Sequence, residues 1–297
     1  MGSNRWSIII VFVLYYVLIF WGTGIGGFFV EGSGYSLKPS MYGILMGLLI
    51  GTTLAVIAIR MQERIILKAA RATPVNPGKY PELIEAALEC SRICRIPLPN
   101  LYVTPEILPN FCVLSTKSGK LNIVFTRGFL DLDRPQYYKA AIAWAAMGES
   151  KGLLRSRALG SSLAYIFMYP AKIGDLFSTG STVRYNIINL IFLLAFAPLA
   201  AFLIHMAGGK REIYEIDHDT TNLTGDQGFL VVTFIEIEKK LTNYIVDIDL
   251  ALVPLFAVPP KCSNIYYGLF MPFPPIQKRI NRLRSHRKHQ RSRKTPH

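Results

Sequence analysis

The sequence predicts an α+β protein with transmembrane helices: a cytoplasmic domain of helices and a small β-hairpin sheet, interrupted by a membrane hairpin. Three observations predict it. Apolar residues make up 51% of the 297 and gather in blocks, the pattern of membrane spans rather than of a larger core. Short runs rich in Val, Ile, Leu and Phe lie between residues 100 and 126 around a Ser-Gly turn, the signature of strands. Lys and Arg crowd one side of the apolar blocks, which orients the spans.

The first block runs from Trp6 to Val30 and the second from Tyr42 to Ile59. Each is long enough to cross a hydrocarbon layer of about 30 Å as a helix. A signal peptide is a poorer reading of the first block. It is too long for an h-region, has no clear small-residue cleavage site and is followed at once by a second span. The third block, Leu159 to Phe177, is interrupted by Pro170, Lys172 and Asp175. The fourth, Ile187 to Met206, is strong, and its Pro198 is a residue that membrane helices tolerate. The count is three to four spans. Arg60, Arg64, Lys68 and Arg71 follow the second block, Lys151, Arg155 and Arg157 precede the third, and Lys210 and Arg211 follow the fourth. The chain is therefore expected to be a multi-pass integral membrane protein with both termini and the main domain cytoplasmic. Its four cysteines would lie on the reducing side, where disulfides are not expected.

Between the membrane hairpins, Tyr80 to Cys94 reads as an amphipathic helix with Leu83, Ala87, Cys90 and Cys94 on one face. Two cysteines at i and i+4 are fewer ligands than a soft-metal site needs, so they read as buried thiols. Asn110 to Ser115 and Asn122 to Thr126 form a hairpin through Lys117-Ser118-Gly119-Lys120, with Asn100 to Val103 as a further strand. Asp131-Leu132-Asp133 before Pro135 is a capping pattern, and the helix it opens carries Tyr138, Ala141, Trp144, Ala145 and Met147. A later helix covers Gly228 to Leu241. The domains are thus 1–60 (membrane hairpin), 61–158 (first cytoplasmic part), 159–207 (second membrane hairpin), 208–284 (second cytoplasmic part) and 285–297 (basic disordered tail). The formal charge of +14 has its local source from Lys278 onward. Nucleic-acid binding would call for a folded basic face or aromatic platforms, and no aromatic residue follows Ser285. Anionic lipid is the expected partner of the tail, and nucleic acid is not.

Four motifs in order, with membrane spans between the second and third, carry a family resemblance. They are Pro109-Asn110-Phe111-Cys112-Val113, Ile123-Val124-Phe125-Thr126-Arg127-Gly128-Phe129-Leu130, Ile213-Tyr214-Glu215-Ile216-Asp217, and Pro274-Pro275-Ile276-Gln277-Lys278-Arg279-Ile280-Asn281-Arg282-Leu283. The chain resembles the HtpX-type membrane zinc metallopeptidases over roughly residues 1 to 285, and the resemblance implies a gluzincin-like cytoplasmic domain. Such a site needs two histidines at i and i+4 on one helix face, a glutamate between them as general base, and a third ligand from a later helix. The resemblance places the histidines at Ala145 and Glu149, the base at Ala146, the third ligand at Ile213, one residue from Glu212, and the histidine of the terminal His-Pro-Pro at Phe273. Two alanines cannot bind metal or move a proton. Of the five histidines only His218 lies in the site region.

This degenerate pattern implies a catalytically inactive peptidase-like membrane protein, not an enzyme and without a cofactor. Its role would be that of a structural or accessory subunit beside other integral membrane proteins. Glu149, in a formerly metal-lined pocket, would pair with Arg211 first and His218 second, so that Glu149→Ala lowers stability. Asn110, Phe111, Cys112 and Val113 offer an edge for strand addition. Gly43, Gly47 and Gly51 offer a small-residue stripe for helix packing. Two other readings stand beside this one. One is an active membrane zinc metalloprotease with a relocated site at Glu149, Glu212 and His218. The other is a small transporter or channel component, for which Lys172 with Asp175 is the candidate intramembrane pair.

Overall fold

Alternation along two strands decides where everything else packs. In β3 (Phe111–Ser115) and β4 (Leu121–Thr126) every residue is buried, so both faces of the sheet are covered, and the period of two sends successive side chains to different layers. Phe111, Val113, Leu121, Ile123 and Phe125 join one core; Cys112, Leu114 and Val124 join another. The computed structural model describes residues 39–294 apart from 117–118, 177–186, 208, 224–226, 247, 263–266 and 272.

The sheet order is β1-β2-β4-β3. β3 and β4 form the predicted antiparallel hairpin, closed by Thr116 N–H donating to Lys120 O at 2.9 Å and by Gly119 at φ +76°. β2 (Asn100–Thr104) lies parallel to β4. No local pattern marks β1 (Thr73–Pro74), which pairs antiparallel with β2 at the sheet's edge, a place where proline is tolerated.

The helices are α1 (Pro39–Ala69), α2 (Pro81–Cys94), the short α3 (Arg127–Leu130), α4 (Pro135–Ser150), α5 (Leu153–Leu176), α6 (Ile187–Ala207), α7 (Lys210–Leu223), α8 (Gln227–Leu241) and α9 (Ile276–Lys294). α3 begins where Thr126 Oγ1 accepts from Phe129 N–H at 3.2 Å, a hydroxyl cap. Gly128 is required there, because a Cβ would sit 1.6 Å from the Ile107 carbonyl oxygen. α4 starts at its proline as expected, but Arg134 is the cap residue and makes no side-chain cap bond. Asp133 instead turns the chain at φ +46°. One face of α4, with Tyr138, Ala141, Ile142, Trp144 and Ala145, fills the first core together with Leu83 and Ala87 of α2 and Ile213 and Ile216 of α7.

Two elements depart from the sequence's expectation. α5 begins at Leu153 and crosses the 158/159 boundary unbroken, so the region before that boundary and the second predicted hairpin share one helix. α9 continues to Lys294 where a disordered tail is predicted from 285; Arg, Lys and Gln are good helix formers and no Gly or Pro interrupts them before Pro296. Among the described residues no helix is long and apolar enough to cross a membrane. The first predicted span, 6–30, lies outside the described residues, as do parts of the second predicted hairpin and the side chains of Lys172 and Asp175. α5 and α6 pack tightly where they are described: a Cβ on Gly160 would lie 2.7 Å from that of Ala207. Leu163, Ala164 and Phe167 of α5 share a core with Ala200, Leu203 and Ile204 of α6 and Ala55 and Ala58 of α1.

Candidate functional site

Trp144, beside Ala145 on α4, directs its indole inward. Nε1–H donates to Asp217 Oδ1 at 2.8 Å. Asp217, one of the buried residues of α7, also accepts from Arg279 Nε at Oδ2 and from Nη2 at Oδ1, both at 2.7 Å. Arg279 Nη1 donates to Ala257 O at 2.6 Å, and its guanidinium lies 4.4 Å from the Phe234 ring centroid. Both charges are withdrawn from water, with Asp217 at 1% and Arg279 at 0% exposure. A bidentate carboxylate–guanidinium pair satisfies such groups where a single contact would not. This brace ties α4, α7, α9 and the segment around Ala257 together. Asp217 and Arg279 lie inside the quoted motifs, which is the signal that could have found them.

Ala145, Ala146 and Ile213 are fully buried and Phe273 nearly so. Glu149 does not reach Arg211 or His218. Its Oε1 lies 3.7 Å from Arg155 Nη2, and its Oε2 is buried without a hydrogen-bond partner among the described residues. Burial raises its pKa, against the lowering effects of a hydrogen bond with Ser115 and the charge of Arg155. Arg211 pairs with Glu215 at 3.0 Å, and His218 with Asp219 at 3.3 Å. The ionic cross-link between α4 and α7 runs instead through Lys151, 3.1 Å from Glu215 and 2.9 Å from Asp219. Glu212 folds back over its own helix start: a Cβ at Gly209 would collide with its carboxylate at 1.7 Å. A carboxylate in the first turn suits the positive end of the helix.

The side chains at the positions the resemblance gives to zinc do not fit the ion. Three are apolar and buried, and Glu149, Glu212 and His218 point to separate partners. Among the described residues no cluster of three or more His, Cys, Asp or Glu could hold a metal. Cys90 and Cys94 are free; burial first of all pushes the Cys90 thiol up to about 12, as for an inert core thiol.

Asn110 to Val113 lie at the sheet's edge, and the chain covers that edge itself. Ala257 N–H donates to Phe111 O at 2.9 Å, Phe256 bridges Cys112 antiparallel, and Asn110 Nδ2 donates to Val258 O at 2.6 Å. Gly43 and Gly47 lie on α1 with their surroundings outside what is described, and Gly51 is buried.

The sequence passed over Arg157 as a site residue. It is 2% exposed, its guanidinium lies 4.3 Å from the Phe273 ring centroid, and none of its three nitrogens has a hydrogen-bond partner among the described residues. Burial first and Arg279 second push its pKa down to about 9, with Asp217 and Glu212 holding it up. At that value it remains a cation at neutral pH.

A small sheet with a helix pair braced behind it, built from the four motif segments, defines a peptidase-like α+β domain. The comparisons agree. A protein of Pseudarthrobacter chlorophenolicus named protease HtpX homolog is 26% identical over 74% of this chain and 78% of its own length. One of the same name from Syntrophobacter fumaroxidans is 23% identical over 96% and 100%, and one from Acaryochloris marina is 23% identical over 85% and 88%. Over most of its length the chain is similar to proteins of the HtpX type. No family model and no solved structure matches it. The relatives' name corrects one expectation. That the chain is not an enzyme, drawn from Ala145 and Ala146, is overturned by relatives that are named proteases. The two alanines exclude one ligand position and the general-base position, and say nothing of chemistry carried elsewhere in the chain.

Proposed function

We propose that the chain is a membrane-embedded HtpX-type protein that handles polypeptide and works as a subunit beside other integral membrane proteins. The observation that carries this is the outer face of α1. Leu45, Leu48, Leu49, Val56 and Ile57 are all exposed there and, with Thr52 and Thr53, line one largely apolar surface. A contiguous apolar face of that kind belongs in lipid or against another apolar helix. Polypeptide is the substrate class that the relatives' name implies. The basic end of α9 would then lie by anionic lipid, with the main domain on the cytoplasmic side. Gentle detergent extraction followed by native mass measurement tests the reading. A complex of fixed stoichiometry supports it, and a lone chain of 33.3 kDa rejects the subunit role.

A second reading, favoured by the relatives' name, is that the chain itself cleaves polypeptide. The purified chain is incubated with an unfolded protein, with and without chelator, alongside Glu149→Gln and Glu212→Gln. Cleavage lost on chelation and in either variant means that these carboxylates serve a metal. Cleavage that survives all three places the chemistry outside the zinc positions, and no cleavage removes this reading.

A further inference from the structure

We propose that Arg157, with Ser161 one turn further along α5, is a buried receptor for the C-terminal carboxylate of a bound polypeptide. The inference deepens the polypeptide-handling reading and rests on it. A guanidinium carries five N–H donors, and leaving such a group unpaired in a dry interior is among the costliest arrangements a fold can keep. Arg157 Nε, Nη1 and Nη2 have no partner among the described residues, and neither has the Ser161 hydroxyl, at 0% exposure. Spaced i and i+4, the two share one helix face. Two orphaned donor groups on one face point to a single acceptor that the described residues do not supply.

The charges around the site say which acceptor. Arg157 and Arg279 face Asp217 and Glu212, so the four sum to zero. Asp217 is fully engaged by Arg279 and Trp144, and Glu212 leans over Gly209. A monoanion costs less to bring there than a dianion would. Phe273 closes one face of the guanidinium, leaving its in-plane edges, the geometry that accepts both oxygens of a carboxylate. At 2% exposure, the end of an extended chain reaches this depth more readily than a side chain from the middle of one.

The test is fluorescence anisotropy on the full-length chain in detergent, with an apolar labelled peptide carrying a free C-terminal carboxylate and with the same peptide amidated. The free acid should bind at least about tenfold more tightly, as a charge-assisted bidentate contact would give. Arg157→Met should erase that preference and unfold no earlier than the parent, since an unpaired buried charge is removed. Should that variant fail to fold, Arg157→Lys, which offers a point charge without the fork, and Ser161→Ala take its place, each reducing the preference. Equal affinity for acid and amide overturns the receptor while leaving the polypeptide reading standing; no binding of either peptide overturns both. A preference unchanged in all the variants, or displacement by inorganic phosphate and not by acetate, also overturns it.

Discussion

Asp217 accepts three hydrogen bonds in a site closed to water, one from Trp144 on α4 and two from Arg279 on α9. Removing the carboxylate leaves Arg279 buried and uncompensated, which costs about 3–5 kcal/mol for a pair of this kind. Asp217→Ala should therefore lower the thermal unfolding midpoint sharply, and Arg279→Lys nearly as much, because lysine cannot make the two-pronged contact. An unchanged midpoint in either variant would mean that the brace is not what joins the helices. Glu149 behaves in the opposite sense. Its folded pKa is raised by burial, so its effect on stability is neutral below its unfolded pKa and becomes a loss as pH climbs through the raised value. Glu149→Gln should stabilise the protein at neutral pH and make no difference in acid; a loss of stability at neutral pH would show that the Arg155 contact outweighs burial. That expectation reverses the one drawn from sequence for Glu149→Ala, which assumed a close partner on α7. Sequence located the residues near the site but not their pairing, because Lys151, Arg155, Arg211 and Arg279 are equivalent as letters. Only the helix crossings decide which cation meets which carboxylate.

At the scale of elements, the central strands were legible almost to the residue. Phe111 to Ser115 and Leu121 to Thr126 are runs of β-branched and aromatic residues around a Gly turn, and local chemistry settles such a hairpin. The order of the sheet was not legible, since nothing local in Asn100–Thr104 says that it will lie parallel to β4 rather than beside β3. The covering of β3 by residues 256–258 was equally hidden, because its partners are almost 150 positions apart. Asn110 holds this junction, giving Nδ2–H to Val258 O and accepting Phe111 N–H at Oδ1 at 2.9 Å. Asn110→Ala should cost about 2–4 kcal/mol, the sum of two buried groups left unpaired. It should also speed hydrogen exchange at the Ala257 amide, which donates to Phe111. If exchange there stays slow, the segment is held by the surrounding core, with Leu255 and Phe256, and not by the asparagine.

At the scale of the molecule, one helix runs from the braced core into the second predicted hairpin. α5 carries Arg157 beside Phe273 and, a turn later, Gly160 pressed against Ala207 of α6. Ser156 Oγ reaches Ala207 O at 3.3 Å on the same contact. The position of α5 is therefore set by α6 and transmitted to the site. Blockwise hydropathy revealed the helices but drew the boundary at 158/159, because Arg155 and Arg157 look like membrane flanks when the letters alone are read; burial of Arg157 is a tertiary fact. Gly160→Val would drive a side chain into Ala207, and overpacking of this sort costs about 1–3 kcal/mol. If α5 is one rigid lever, the variant should also disturb the environment of Trp144, visible as a shift in tryptophan fluorescence before unfolding in a background where Trp6 and Trp21 are replaced by Phe. The shift should be absent in Gly268→Ala, where an added Cβ meets nothing within 4 Å. A destabilised Gly160→Val whose Trp144 emission is unmoved would mean that the hairpin and the braced domain are mechanically separate, and that the helix joining them bends instead of transmitting.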